Sequence, residues 1–239
     1  LPKKSCSLRW AAICPSLMEG SVEDFLAAAR DVKGADMLEV RADSLENSSP
    51  TTVKRLLKNL RIQVDLPIIL ANRWEKEGGV FPGNERERIG ILLEAMELAD
   101  MVDIELRAEK AMRDEVIALA KEKMKPVIVS YHDFSGTPEV EVMRQVLEEE
   151  FSIGASVAKL AVTANTREDV LRLLQVTHAS ASLGPICTIA MGDLGRVSRI
   201  VAPFFGSKII YASIGRPTAP GQLEVGVVRQ VMDILRGPW

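Results

Sequence analysis

The chain has 239 residues, 47% hydrophobic and 26% charged, with a formal net charge of −3. These proportions describe a globule with a substantial core and exclude a disordered, collagen-like or disulfide-scaffold chain. A near-neutral balance provides no global attraction for nucleic acid or an anionic membrane, so neither is an expected partner. Domains typically run to roughly 100–200 residues and barrels to about 250, which leaves room for one large domain or two small ones.

Cys6, Cys14 and Cys187 form no CxxC pair, and the last two lie in apolar runs where a free thiol acts as a small hydrophobe. This usage points to a reducing, cytoplasmic setting. Two histidines cannot build a multi-histidine metal site. No apolar stretch reaches the ~18 residues of a membrane span. Lys3 and Lys4 precede a short apolar run that Arg9 and Pro15 interrupt, so no signal peptide is expected. A start at Leu1 rather than Met suggests trimming at that end.

In chain order, short apolar runs alternate with longer segments of helical periodicity. The predicted strands are 9–14, 37–41, 67–71, 101–106, 126–131, 156–161, 185–190 and 208–213. Their spacing is close to the ~30 residues of one strand-plus-helix unit. Between them, Val22, Phe25, Leu26, Ala29 and Val32 follow three-four spacing behind a Ser21/Asp24 capping pair. Thr137-Pro138-Glu139 predicts a helix start with proline at its first position, and Thr166 with Asp169 predicts another. The last helix places Val225, Val228, Val231, Met232 and Leu235 on one face. Eight such units predict a single-domain (β/α)8 TIM barrel spanning residues 1–239. An open doubly wound sheet is the alternative, weakened by the absence of a G-x-G-x-x-G after the first strand and of a P-loop.

Barrel chemistry sits at the C-terminal ends of the strands and in the loops that follow. On strand two, Glu39 and Arg41 are two apart and share a face, as ligand-binding groups or as an ion pair that fills the barrel. Strand three ends at Arg73, before a glycine-rich loop at 75–83 that contains Glu77. Arg73 is placed for an anionic or hydroxylated ligand, although a solvated charged loop explains it equally well. Asp103 and Glu105 share a face of strand four and can orient cations such as Arg41 or Lys159. His132 ends strand five with the pKa range of a general acid/base, while a purely structural histidine stays open. His178 lies late in a helix and reads as structural.

Lys159 interrupts the apolar run of strand six. A buried lysine tends to lose its proton, and a neutral amine forms a Schiff base with carbonyls. A structural ion pair with Glu39 or Glu105 is the plain alternative. After strand seven, a loop carries Met191 and the planar fork of Arg199, suited to a carboxylate. After strand eight, the loop at 215–221 carries Thr218, and Gln222 begins the last helix. Glycines in both loops also fit a phosphate site.

The ordered set Glu39-Val40-Arg41, Arg73 with Glu77-Gly78-Gly79, Ser130-Tyr131-His132-Asp133-Phe134, Val157-Ala158-Lys159, Met191-Gly192 with Ser198-Arg199, Phe205-Gly206-Ser207 and Ala219-Pro220-Gly221-Gln222 resembles type I 3-dehydroquinate dehydratases over nearly the whole chain. The resemblance implies a homodimeric (β/α)8 barrel without metal or cofactor that converts 3-dehydroquinate to 3-dehydroshikimate. It implies that Lys159 forms the Schiff base, His132 moves protons, and Glu77 attends the histidine. It assigns Arg199 to the substrate carboxylate, Glu39, Arg41, Arg73 and Gln222 to hydroxyl or carboxylate contacts, and Met191 to packing beside the ring. Tyr211 stands where that family often has Phe, Thr218 where it often has Ser, and Asp193 where a basic residue is frequent. The short segment before strand one implies that the hairpin capping the barrel bottom is reduced or absent. Two other readings remain: a Schiff-base aldolase with a phosphate site, and a barrel that only binds a metabolite.

Overall fold

The structure is a computed structural model and describes residues 11–236. The strands are β1 (Ala12–Leu17), β2 (Leu38–Arg41), β3 (Ile68–Ala71), β4 (Met101–Glu105), β5 (Val127–Asp133), β6 (Val157–Thr163), β7 (Ile186–Met191) and β8 (Ile209–Ala212). They pair in parallel, in the order β7-β6-β5-β4-β3-β2-β1-β8. The barrel closes between β7 and β8, where Lys208 N–H donates to Ile186 O at 2.7 Å and Ser207 Oγ accepts from Thr188 N–H at 3.1 Å. This is the predicted (β/α)8 barrel, not the open sheet.

The helices used below are α1 (Val22–Ala28), α2 (Pro50–Gln63), α3 (Glu85–Ala95), α4 (Lys110–Glu122), α5 (Val140–Ser152), α6 (Arg167–Ser180), α7 (Gly192–Gly195), α8 (Ser198–Phe205) and α9 (Val225–Arg236). Their apolar faces cover the outward side chains of the strands, such as Leu38, Val40, Val102, Ile104 and Val129. The inward positions change character along each strand. β2 and the residue before it run from Met37 through Glu39 to Arg41, and β4 runs from Met101 through Asp103 to Glu105. β5 runs from Ile128 through Ser130 to His132, and β6 from Val157 through Lys159. A period of two therefore builds an apolar plug at the N-terminal end and a charged chamber at the other.

Beyond shifts of one or two residues at the strand ends, four features differ from the sequence expectations. β1 continues through Pro15 to Leu17, because the ladder to β8 ends at Pro15 and the ladder to β2 begins at Ser16. Proline is tolerated where pairing changes sides. α5 starts at Val140 rather than beside Pro138, and Thr137 Oγ1 instead donates to Thr163 O at 2.8 Å. The segment after β7 is not an open loop, since α7 and α8 occupy most of it. Gln222 precedes α9, which begins at Val225, and Leu235 of α9 is exposed while Val225, Val228 and Met232 are buried. The caps at Ser21 and Thr166 form as predicted, with both halves of the box present at Thr166/Asp169. The proposed loss of a bottom hairpin, Arg9 of strand one, and Cys6 lie outside the described residues.

Candidate active site

One cavity of about 120 Å³ opens at the C-terminal ends of the strands and suits a small metabolite rather than a polymer. It is lined by the ten side chains that the resemblance and the strand ends assign to the site, Glu39, Arg41, Arg73, Glu77, His132, Lys159, Met191, Arg199, Thr218 and Gln222, but not by Asp103, Glu105 or His178.

Lys159 is buried at the base of the chamber. Its Nζ donates to Asp103 Oδ2 at 2.9 Å, lies 3.6 Å from Glu39 Oε2, and sits 4.1 Å above the ring of Tyr211. The main carboxylate partner is thus Asp103, not the Glu39 or Glu105 of the ion-pair alternative. Asp103 also meets Arg73 Nη2 at 2.9 Å and accepts from Ser130 Oγ at 2.7 Å. Burial alone raises a carboxyl pKa, but Arg73 and Lys159 outweigh it and hold Asp103 well below the usual range. Glu39 Oε1 accepts from Ser16 Oγ at 2.7 Å, while its Oε2 has no hydrogen-bond partner.

Arg73 is fully engaged. Its Nη1 donates to Glu105 at 2.8 Å and Ser130 at 2.7 Å, and Arg88 of α3 reaches the other Glu105 oxygen at 2.9 Å. Against the opposing effect of burial, Asp103 and Glu105 raise the Arg73 pKa well above its ordinary value. Arg41 pairs with neither strand-four carboxylate. It forms a bidentate pair with Asp43 at 2.8 and 2.7 Å, and its Nη2 also donates to Gly78 O at 3.2 Å. The loop after β3 is thereby pinned, with Val80 N–H donating to Asp43 at 3.2 Å. Gly78 adopts φ +83°, and a Cβ on Gly79 would fall 1.9 Å from Arg73 O, so the pair of glycines is a geometric requirement of the turn.

His132 is buried, with Nδ1 2.9 Å from Glu77 Oε2, an oxygen that also accepts the His132 backbone N–H at 2.9 Å. Burial, then Arg73 and Lys159, push the histidine pKa well below its ordinary value and keep the ring neutral. Glu77 goes the other way, up to about 7, first through burial and then through the like charge of Glu105.

Across the chamber, Arg199 in the first turn of α8 donates only to carbonyls: Tyr211 O at 3.2 Å and Pro220 O at 2.9 Å. Its Nε has no partner, and it pairs with no carboxylate among the described residues. Burial lowers its pKa to about 10. Met191 closes this side of the cavity. Gln222 and Thr218 hydrogen-bond each other, Thr218 N–H to Gln222 Oε1 at 2.6 Å and Gln222 Nε2 to Thr218 Oγ1 at 3.0 Å.

Sequence reading missed Ser16, Asp43, Arg88 and Arg107. Ser16 was hidden by ending strand one before Pro15. Asp43 follows Arg41 by two, the same spacing signal that identified Glu39 with Arg41. Arg88 and Arg107 had no local signal of a place at the site: Arg88 also pairs with Glu85 one turn back on α3, and the site partners Glu105, Glu77 and His132 come from other elements. Among the described residues, no group of three His, Cys, Asp or Glu side chains is arranged to hold a metal ion, and no helix is long and apolar enough to cross a membrane.

With this geometry in place, comparison with known proteins is direct. Residues 13–237 match the family model described as Type I 3-dehydroquinase. The chain is 42% identical over 231 residues to a 3-dehydroquinate dehydratase of Methanosarcina barkeri, covering 94% of this chain and 95% of that one. It is 42% identical over 202 residues to the Methanococcoides burtonii protein of the same name, covering 84% and 85%. Among solved structures, 3-dehydroquinate dehydratase from Geobacillus kaustophilus superposes with a TM-score of 0.89 at 32% identity, covering 96% of this chain and 93% of that one. The type I enzyme from Clostridium difficile, solved with covalently modified comenic acid, gives 0.89 at 30% identity, covering 95% and 92%. The chain therefore belongs to the type I 3-dehydroquinase family.

Proposed function

We propose that this protein dehydrates 3-dehydroquinate to 3-dehydroshikimate through an imine on Lys159, with His132 moving the protons. The observation that carries the reading is the buried Lys159 amine sharing one cavity with a neutral, buried His132 and an unpaired Arg199. Lys159 Nζ attacks the substrate ketone as a free amine, and the addition product takes up a proton and loses water to leave an iminium; the final hydrolysis returns that proton. That cation withdraws electrons from the adjacent C–H bond, and His132 takes the proton to give an enamine. The enamine expels the neighbouring hydroxyl, which leaves as water with the proton from His132. Water then hydrolyses the iminium, returning the ketone to the product and the amine to Lys159.

Arg199 is the group for the substrate carboxylate, since its fork holds no acidic partner of its own. Glu39, Arg41, Arg73, Thr218 and Gln222 are the further substrate contacts, with Met191 beside the ring. Glu39 Oε2, which lies 3.6 Å from Lys159 Nζ and accepts no hydrogen bond, is an acceptor ready for a hydroxyl. The lysine amine itself supplies the electron sink, so the reading requires no cofactor or metal. An aldolase reading, which wants a phosphate site beside β7 and β8, has no comparable support. The same reading makes the protein a cytoplasmic, homodimeric enzyme of the shikimate pathway, and exposed Val197, Phe204 and Phe205 near and on α8 offer apolar surface to a second copy.

Borohydride added with 3-dehydroquinate should fix the ligand covalently, with intact mass and peptide mapping placing it on Lys159. Lys159→Met should give neither adduct nor turnover. Turnover without an adduct in the unaltered protein overturns the imine.

A further inference from the structure

Arg107, two residues beyond β4, closes a ring of contacts around the histidine. Its Nε donates to Glu77 Oε1 at 2.9 Å, its Nη2 donates to His132 O at 2.6 Å, and its guanidinium carbon lies 4.4 Å from the centre of the Tyr131 ring. Glu77 completes the ring through Oε2, which meets both the backbone N–H and Nδ1 of His132. The Arg107 side chain is 44% exposed, whereas that of Glu77 is 0% exposed. A surface cation thus reaches inward to the carboxylate beside the proposed base.

We propose that Arg107 is a positioning residue: it keeps Glu77 an acceptor toward His132 Nδ1–H, and so fixes the ring tautomer whose Nε2 takes the substrate proton. This rests on the role given to His132 above. An ionised Glu77 accepts Nδ1–H and leaves the Nε2 lone pair free, whereas a protonated Glu77 donates to Nδ1 and places the ring proton on Nε2. The second form cannot act as the base. Glu77 has little margin against this switch. It faces Glu105 and Arg73 from the β3–β4 side and His132 and Tyr131 from β5, with Glu150 of α5 behind. Burial and Glu105 favour its protonated form, and the Arg107 hydrogen bond is the largest influence the other way. Stacking on Tyr131 and the His132 carbonyl hold the guanidinium in register, a two-point geometry that lysine cannot reproduce.

The chain has only two histidines, and His178 of α6, edge-on to Phe205, is an internal reference. Ring ¹⁵N shifts against pH, read beside the pH profile of kcat, therefore test the proposal. Arg107→Ala should move the His132 tautomer change and the acid limb of kcat upward together by about one pH unit. Activity near neutral pH then falls about tenfold and recovers at alkaline pH, with Arg107→Lys in between. Loss by the same factor at every pH, or an unmoved tautomer, overturns the assignment. Borohydride trapping at alkaline pH separates the two readings. Adducts on Lys159 in both proteins with an unmoved acid limb defeat the Arg107 role alone. No adduct in the unaltered protein defeats the imine and this role with it.

Discussion

Arg73 and Arg199 line opposite sides of one chamber and are equally buried, each 3% exposed. Their electrostatics are opposite. Arg73 lies between Asp103 and Glu105, which overcome burial and raise its pKa, while Arg199 sees only two carbonyls and its pKa falls to about 10. Burial of a charge therefore does not by itself mark a binding group. What sets Arg199 apart as the group for an incoming anion is the lack of internal compensation, because a cation that the fold leaves unpaired is stabilised only when an anion arrives. The β3–β4 side of the chamber is a closed scaffold of Arg73, Arg88, Asp103 and Glu105 that aims Lys159. The β7–β8 side is the receptive one.

The largest expected effect breaks the closed side. Arg73→Met leaves Asp103 with the Lys159 cation alone and one Glu105 oxygen without its cation, and breaking a buried pair in this way costs about 3–5 kcal/mol. Urea unfolding should show that loss, and a change below about 1 kcal/mol would mean that the network is not cooperative. The same replacement on the receptive side should behave differently. Arg199→Met removes a charge that the free protein does not compensate, so stability should hold or rise. KM should increase about a hundredfold, the equivalent of about 2.7 kcal/mol for one lost charge-assisted pair. A destabilisation like that of Arg73→Met, with KM unchanged, would erase the distinction between the two sides.

How far this was readable from sequence follows the same division. Period-two alternation exposed Glu39, Arg41 and Asp103, and an interrupted apolar run exposed Lys159, because a strand's pattern is local information. The chamber's membership was therefore legible. Its pairing was not. Lys159 is 56 residues from Asp103, and Arg41 goes to Asp43 rather than to a strand-four carboxylate, since pairing depends on barrel register and on loops. Arg88 enters from a helix outside the barrel, and no helical periodicity announces that its side chain threads inward. Boundary errors were equally physical. Pro15 reads as a break where the ladder merely changes partner, and Thr137 reads as a cap although its hydroxyl serves β6 instead.

The smallest effect compares two carboxyls that are both buried, Asp103 inside the barrel and Glu150 of α5 outside it. Cations hold Asp103 ionised. Glu150 forms no ion pair among the described residues, and burial, joined by the like charge of Asp103, pushes its pKa well above the ordinary value against the weaker influence of Lys159. The sign of the consequence follows from proton linkage. The folded chain keeps a proton on Glu150 that the unfolded chain releases above about pH 4.5, so this group's contribution is complete below that pH. It is lost progressively as pH rises toward the folded pKa. Glu150→Met places an apolar side chain of similar length in the same apolar surroundings and removes the titration. Its effect should therefore become more favourable between about pH 4 and about pH 8, by about 1.4 kcal/mol for each unit by which the folded pKa exceeds the unfolded one. Urea unfolding at the two pH values decides it. An equal effect at both would mean that packing rather than the proton governs the site. Stabilisation confined to acid would mean that Glu150 is ionised in the fold and is held, like Asp103, by a charge.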